Sequence, residues 1–281
     1  MLIFDMRNII LLLCTSLLIT FSSCEEVIII DVEQTPSQLV IDALVTNVDT
    51  THMVRITRSI DFYSSGVVNV EDGIVSVTDN FGNTYNYTHN PEGYDSLNGY
   101  YFSDQRFTGQ VNGIYQLNVT VNSVNYTASD TLKPVTTIDS LSIAIDEHAV
   151  DNPDHEEGDY QVILYAKEPQ ETLDFYYFKF YRDGTLEVDN NVFVFEDRLL
   201  GNSLDGLPSP VYFAEGELAT VELYSLTRVQ YIYFSDLANI LNNDGGMFSP
   251  PPANPRSNIS GGALGLFQVS GVSRRSILIV P

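Results

Sequence analysis

The chain has 281 residues, 44% of them apolar, which is enough for one large or two modest domains with a buried core. Its 37 acidic residues against 13 basic ones give a formal net charge of -24. That balance argues against nucleic acid, whose phosphates must be neutralised by cations, and against electrostatic docking on an anionic lipid surface.

In chain order, the first element is an apolar run from Ile9 to Ser23 behind a single basic residue, Arg7. It is too short and too interrupted by Ser and Thr to span a bilayer, and it follows the plan of a secretory signal. Leu17-Leu18-Ile19-Thr20-Phe21-Ser22-Ser23-Cys24 resembles a bacterial lipoprotein signal, in which cleavage precedes a Cys whose thiol is acylated. On this reading residues 1–23 are a signal peptide and Cys24 is the lipidated first residue of the mature chain. Cys14 leaves with the signal, so no Cys remains for a disulfide, a nucleophile or a metal site. The signal carries one acid, Asp5, and one base, Arg7, so the whole charge belongs to the exported part. Glu25 and Glu26 resemble the acidic surface-export signal of Bacteroidota lipoproteins.

From Val27 to Leu132 short β-rich runs alternate with turn residues. Strands are expected at Val27–Val32, Gln38–Val45, His52–Arg58, Ile74–Thr78, Thr84–Thr88, Gly113–Val121 and Asn125–Ser129. Tyr115 to Val121 alternates strictly, with apolar residues at odd positions. Asp79-Asn80-Phe81-Gly82-Asn83 is a turn, and Asn122-Ser123 suits a tight hairpin. This pattern predicts an immunoglobulin-like β-sandwich over residues 24–134, without a Cys–Trp–Cys signature. Lys133-Pro134-Val135 marks a boundary.

A second β-rich domain is expected over residues 135–281. Strands at Thr137–Ile145 and Tyr160–Ala166 flank an acidic loop, Asp146 to Asp159, read as solvated rather than as a Ca²⁺ loop. Phe175 to Tyr181 is aromatic on both faces, as in a strand buried between two layers; the alternative is an aromatic platform for sugars or peptides. Glu217–Leu223 is another strand. Val229, Ile232, Tyr233, Leu237, Ile240 and Leu241 recur at three- and four-residue steps, which predicts one amphipathic helix near 227–241. Strands at Leu264–Val269 and Ser276–Val280 close the chain.

Catalytic motifs are missing: there is no nucleophile elbow, zinc-protease helix, phosphate loop or dinucleotide fingerprint. Of His52, His89, His148 and His155, only the last two lie near each other. A non-enzymatic protein with no cofactor and no metal is therefore expected. Asp-Ser/Thr-apolar triplets at Thr50, Ser96, Thr131 and Ser140 resemble O-glycan acceptors of exported Bacteroidota proteins, although such triplets also make turns.

Several phrases carry a wider resemblance. Leu39-Val40-Ile41-Asp42-Ala43-Leu44-Val45-Thr46-Asn47 and Val54-Arg55-Ile56-Thr57-Arg58-Ser59 open it. Asn258-Ile259-Ser260-Gly261-Gly262-Ala263-Leu264-Gly265-Leu266-Phe267 and Ser273-Arg274-Arg275-Ser276 end it. Together they are similar to a Bacteroidota outer-membrane lipoprotein family of domains of unknown function (DUF4249), associated with TonB-dependent receptors. The resemblance implies an outer-membrane, surface-exposed lipoprotein held by its lipid anchor and partnered with a β-barrel, and it supplies no catalytic residue. An accessory subunit in nutrient capture is the expected role. A structural subunit of an insertion or secretion machine is the alternative, and a surface glycan-binding protein a further one. Gly261, Gly262 and Gly265 are expected to need positive φ or close approach. Phe267 should point inward, while Arg274, Arg275 and Tyr177 are candidate partner contacts. Replacing Cys24 by Ser should leave a precursor mass with the signal uncut and no acyl chains, read by mass spectrometry of the purified protein.

Overall fold

Alternation at period two builds most of this chain, because every second residue of a half-buried strand must be apolar. The computed structural model describes residues 36–60, 66–145, 160–167, 173–187, 192–200, 204–243 and 253–280. The strand expected at Val27–Val32, Cys24, Glu25, Glu26 and the acidic loop with His148 and His155 lie outside the described residues.

The first sheet contains β1 (Leu39–Thr46), β2 (Met53–Arg58), β3 (Val68–Asn69), β4 (Ile74–Asp79), β5 (Thr84–His89), β6 (Tyr100–Ser103), β7 (Ile114–Val121), β8 (Val124–Thr131) and, from far down the chain, β16 (Leu264–Ser270). Its order is β16-β1-β2-β6-β5-β4-β7-β8, with β3 paired to β2. All pairs are antiparallel except β1 with β16, which run parallel with Ile41 opposite Gly265 and Val45 opposite Val269. Leu39, Ile41, Ala43 and Val45 of β1 and Tyr115, Leu117, Val119 and Val121 of β7 all point inward and are buried. Each buried Val, Leu or Ile among them contributes about 1.5–3 kcal/mol on leaving water. Asn122 and Ser123 both have positive φ, the geometry of the tight turn that joins β7 to β8.

The two ends of this sheet nearly meet. The Ser260 N–H donates to the Thr127 carbonyl at 2.8 Å, and the Thr127 N–H donates to Ser260 Oγ at 3.0 Å. Lys133 and Ser270 form a parallel bridge on the same seam. One sheet, rolled almost shut, thus lines a sandwich-like interior. Phe267 is fully buried in that interior, as its place in the signature led us to expect.

The remaining strands form two smaller sheets. One has the order β14-β10-β9, from β9 (Ile138–Ile145), β10 (Tyr160–Ala166) and β14 (Leu207–Phe213). The other joins β11 (Phe175–Arg182), β12 (Thr185–Leu186), β13 (Phe193–Glu196), β15 (Leu218–Leu226) and β17 (Val272–Leu278). Ile138, Val162 and Leu164 from the first meet Tyr176, Phe178, Phe180 and Leu223 from the second in a shared core. The boundary expected at Lys133-Pro134 falls between β8 and β9. The chain later returns through β16 to the rolled sheet before β17 enters the other, and Ser37–Pro281 form one compact unit.

Among the described residues one α-helix is present, α1 (Arg228–Leu241). It is not long and apolar enough to cross a membrane. Its inner face is rotated from the expected stripe: Val229 and Leu241 are exposed, while Gln230 and Phe234 are buried. The cause is a polar anchor. The buried Gln230 amide donates to Asp130 Oδ2 at 2.8 Å and to the Val269 carbonyl at 3.0 Å, and Thr227 Oγ1 also donates to Asp130 at 3.0 Å. Such fully partnered buried polar groups fix one orientation, since leaving any of them unpaired costs more than the bond itself.

Gly265 is the residue on which the parallel pair turns. Its φ is +97°, and a Cβ there would overlap the Ile41 carbonyl oxygen of β1. Gly265→Ala should therefore cost about 3 kcal/mol or more in urea unfolding. The exposed Gly206, whose φ is also positive but which has open space around it, should tolerate Ala at a smaller cost.

Candidate functional site

Strand polarity decides which residues leave the rolled sheet and meet the rest of the molecule. In β1 the inward residues are Ile41 and Ala43, so Asp42 and Leu44 face outward. Asp42 sits opposite Arg55 of β2 and Leu266 of β16. Across from this outer face stand β11 and α1. Between them lies a cleft of about 260 Å³. Asp42, Leu44, Met53, Leu266 and Gln268 line one side, and Tyr177, Lys179, Tyr233, Phe234 and Leu237 the other.

The β11 wall is organised in cross-strand rows. Lys179 pairs in register with Glu222 of β15, and Glu222 with Arg274 of β17, so charges alternate in sign across three strands. The half-buried ammonium of Lys179 lies over the rings of Tyr224 at 4.8 Å and Tyr177 at 5.5 Å. Glu222 is buried and accepts hydrogen bonds from Tyr224 at 2.6 Å and Tyr181 at 2.8 Å. Arg274 reaches its other oxygen at 3.7 Å. Tyr177 stacks on Phe234 of α1 with centroids 4.5 Å apart.

Electrostatics sets this cleft apart. Asp42 is open to water along one side, yet the surrounding walls displace enough solvent to raise its carboxyl pKa, against the pull of Arg55. Desolvation lowers the Lys179 ammonium, with Glu222 opposing. Burial and the charge of Asp42 push the Tyr233 phenol up to about 12. Among the described residues neither Asp42 nor Lys179 has a hydrogen-bond or ion-pair partner. An acid open to water on one side and a half-buried base, neither hydrogen-bonded nor ion-paired, line one cavity.

The expected site residues are scattered by comparison. Tyr177 belongs to the cleft. Arg274 and Arg275 are neighbours on one strand and so point to opposite faces. Arg274 joins the charged row, while Arg275 donates to the Ile138 carbonyl at 3.3 Å. Both lie within β17, which begins at Val272 rather than at the expected Ser276, because its pairing with β15 runs the full length of that edge. Ser96 and Ser140 are exposed, whereas Thr50 and Thr131 are half-buried. The aspartate before Thr131 is the helix anchor Asp130, so its carboxylate is committed internally. His52 is buried against Phe107, with Nε2 3.0 Å from that residue's carbonyl oxygen, and desolvation lowers its pKa. His89 Nε2 accepts the Gly99 N–H at 3.1 Å. Among the described residues no three His, Cys, Asp or Glu side chains gather as a metal site.

Sequence reading passed over Asp42, Lys179 and Glu222. Two of them carried a signal: Asp42 interrupts the apolar run Leu39–Val45, and Lys179 is the one charge inside the aromatic run Phe175–Tyr181.

The family described as Domain of unknown function (DUF4249) matches residues 25–276. The chain belongs to this family. No curated protein matches it. The matched span takes in β1, β2, β11, α1 and β16, so every wall of the cleft is part of the family's domain.

The Lys179 charge is a cost to folding, and the sign of its pH dependence follows. With the folded pKa below the ordinary 10.5, the unfolded chain holds the proton more tightly, so stability rises as pH climbs towards that value. Lys179→Met should stabilise the protein at neutral pH by about 1 kcal/mol. The gain should shrink as the pH approaches 10, read by urea unfolding at the two pH values.

Proposed function

We propose that this protein is a non-enzymatic, lipid-anchored outer-membrane lipoprotein of a Bacteroidota cell, exposed at the surface. In this reading it is an accessory subunit of a β-barrel receptor of the TonB-dependent class and assists nutrient capture. One observation carries the reading: a lipoprotein-type leader, residues 1–23, is followed by Cys24, and the family match begins at residue 25. The candidate anchor thus lies one residue before the family's domain.

Charge supports the same reading. A body carrying -24 is repelled by lipid phosphates, so the acyl chains hold it while the folded part stands off the membrane or rests on a protein partner. In so acidic a body an exposed cation is a distinctive contact, and the Arg274 side chain is 59% exposed. A cleft with one acid and one base supports a role in holding a ligand for the receptor.

The protein carrying a C-terminal tag, recovered from detergent-solubilised outer membranes, should bring down a β-barrel protein in stoichiometric amount. Arg274→Glu should reduce that recovery. Recovery of the tagged protein alone, in mild detergent and after cross-linking in cells, would overturn the reading.

A further inference from the structure

We propose that the cleft between the outer face of the rolled sheet and the β11–α1 wall binds a small zwitterion, a free amino acid or short peptide, with its ammonium on Asp42 and its carboxylate on Lys179.

Three observations converge on this class of ligand. The first is complementarity: one cavity presents a single outward carboxylate from β1 and a single ammonium from β11, on opposite walls. The second is that neither group has a hydrogen-bond or ion-pair partner among the described residues: Asp42 feels the charge of Arg55, and Lys179 that of Glu222 together with the faces of Tyr177 and Tyr224. A ligand with both charges gives both groups a hydrogen-bonded partner at once, and charge-assisted hydrogen bonds are the strong ones. The third is the lining between them. Met53, Tyr177, Phe234 and Leu237 form an apolar wall for a side chain, and Gln268 adds a polar amide. The volume of about 260 Å³ suits a ligand of this size.

The alternatives fit less well. A simple anion such as phosphate satisfies Lys179 but meets Asp42 and the field of a strongly acidic chain. A simple cation satisfies Asp42 but leaves the desolvated Lys179 ammonium unpaired. The unfavourable Lys179 charge also acquires a purpose, since groups that bind ligands are often kept at a cost in stability. This inference stands on the cleft alone and does not depend on the lipid anchor or the barrel partner.

The test is isothermal titration of the full chain in detergent with each proteinogenic L-amino acid and with dialanine and dileucine. The strongest binder is then compared with its decarboxylated amine and its deaminated acid. We expect saturable one-site binding by at least one zwitterion, weakened about tenfold or more by removing either charge. Asp42→Asn and Lys179→Met should each weaken it about as much, while Arg106→Ala, at an exposed pair with Asp49, should not. If a cleft variant fails to fold, the two single-charge analogues on the unaltered protein decide. No saturable binding by any member of the panel, or equal binding by a single-charge analogue, would overturn the proposal.

Discussion

The parallel pairing of β1 with β16 is the constraint on which the rest of this architecture depends. It joins Leu39–Thr46 to Leu264–Ser270, across nearly the whole described chain. Parallel neighbours cannot be joined by a tight hairpin, so everything between them is in effect one long connection. The entropy of closing so long a loop rises only slowly with its length, and the buried residues of both strands repay it. Gly265 makes the close approach to Ile41 feasible. With β16 in place, Ser260 reaches Thr127 and the sheet rolls almost shut. Gln230 of α1 finds the Val269 carbonyl, and β17 continues directly into the neighbouring sheet. Without that pair, the cleft has neither its floor nor its far wall.

Folding and binding make opposed demands on that cleft. A protein interior normally pairs its charges, and the row Lys179–Glu222–Arg274 does so in part. Glu222 takes two tyrosine hydroxyls and a guanidinium, whereas Lys179 has aromatic faces and the field of Glu222 but no hydrogen bond. Cation–π contact returns only part of the hydration that an ammonium loses. Asp42, across the gap, is likewise short of partners. Unpaired charge of both signs in one cavity is a poor way to stabilise a fold and a reasonable way to hold a ligand.

Much of the scaffold was legible from the chain. Strict alternation located β7, short β-rich runs located β1 and β10, the residue pair Asn122-Ser123 marked a tight turn, and a change to helical period located α1. What escaped has physical reasons. β14 contains Pro208 and Pro210, a residue type uncommon in strands but tolerated here because this strand pairs on one side only and both prolines are exposed. β6 is four residues long, too short to show a period. The face of α1 was misjudged because a buried Gln, held by Asp130 and a carbonyl of β16, outranks apolar residues in setting its rotation. The cleft escaped for a different reason. Its two charges lie 137 positions apart, at residues 42 and 179, and only the third dimension joins them.

Hydrogen exchange resolved to individual segments tests the central constraint most directly. The amides of Leu39–Thr46 and Leu264–Ser270 should share the slowest exchange in the molecule and open together with the rolled sheet. In Gly265→Ala both segments should lose protection by the same factor. If Leu264–Ser270 exchanged freely while Leu39–Thr46 stayed protected, the parallel pair would not be what holds the fold, and the cleft built on it would fall with it.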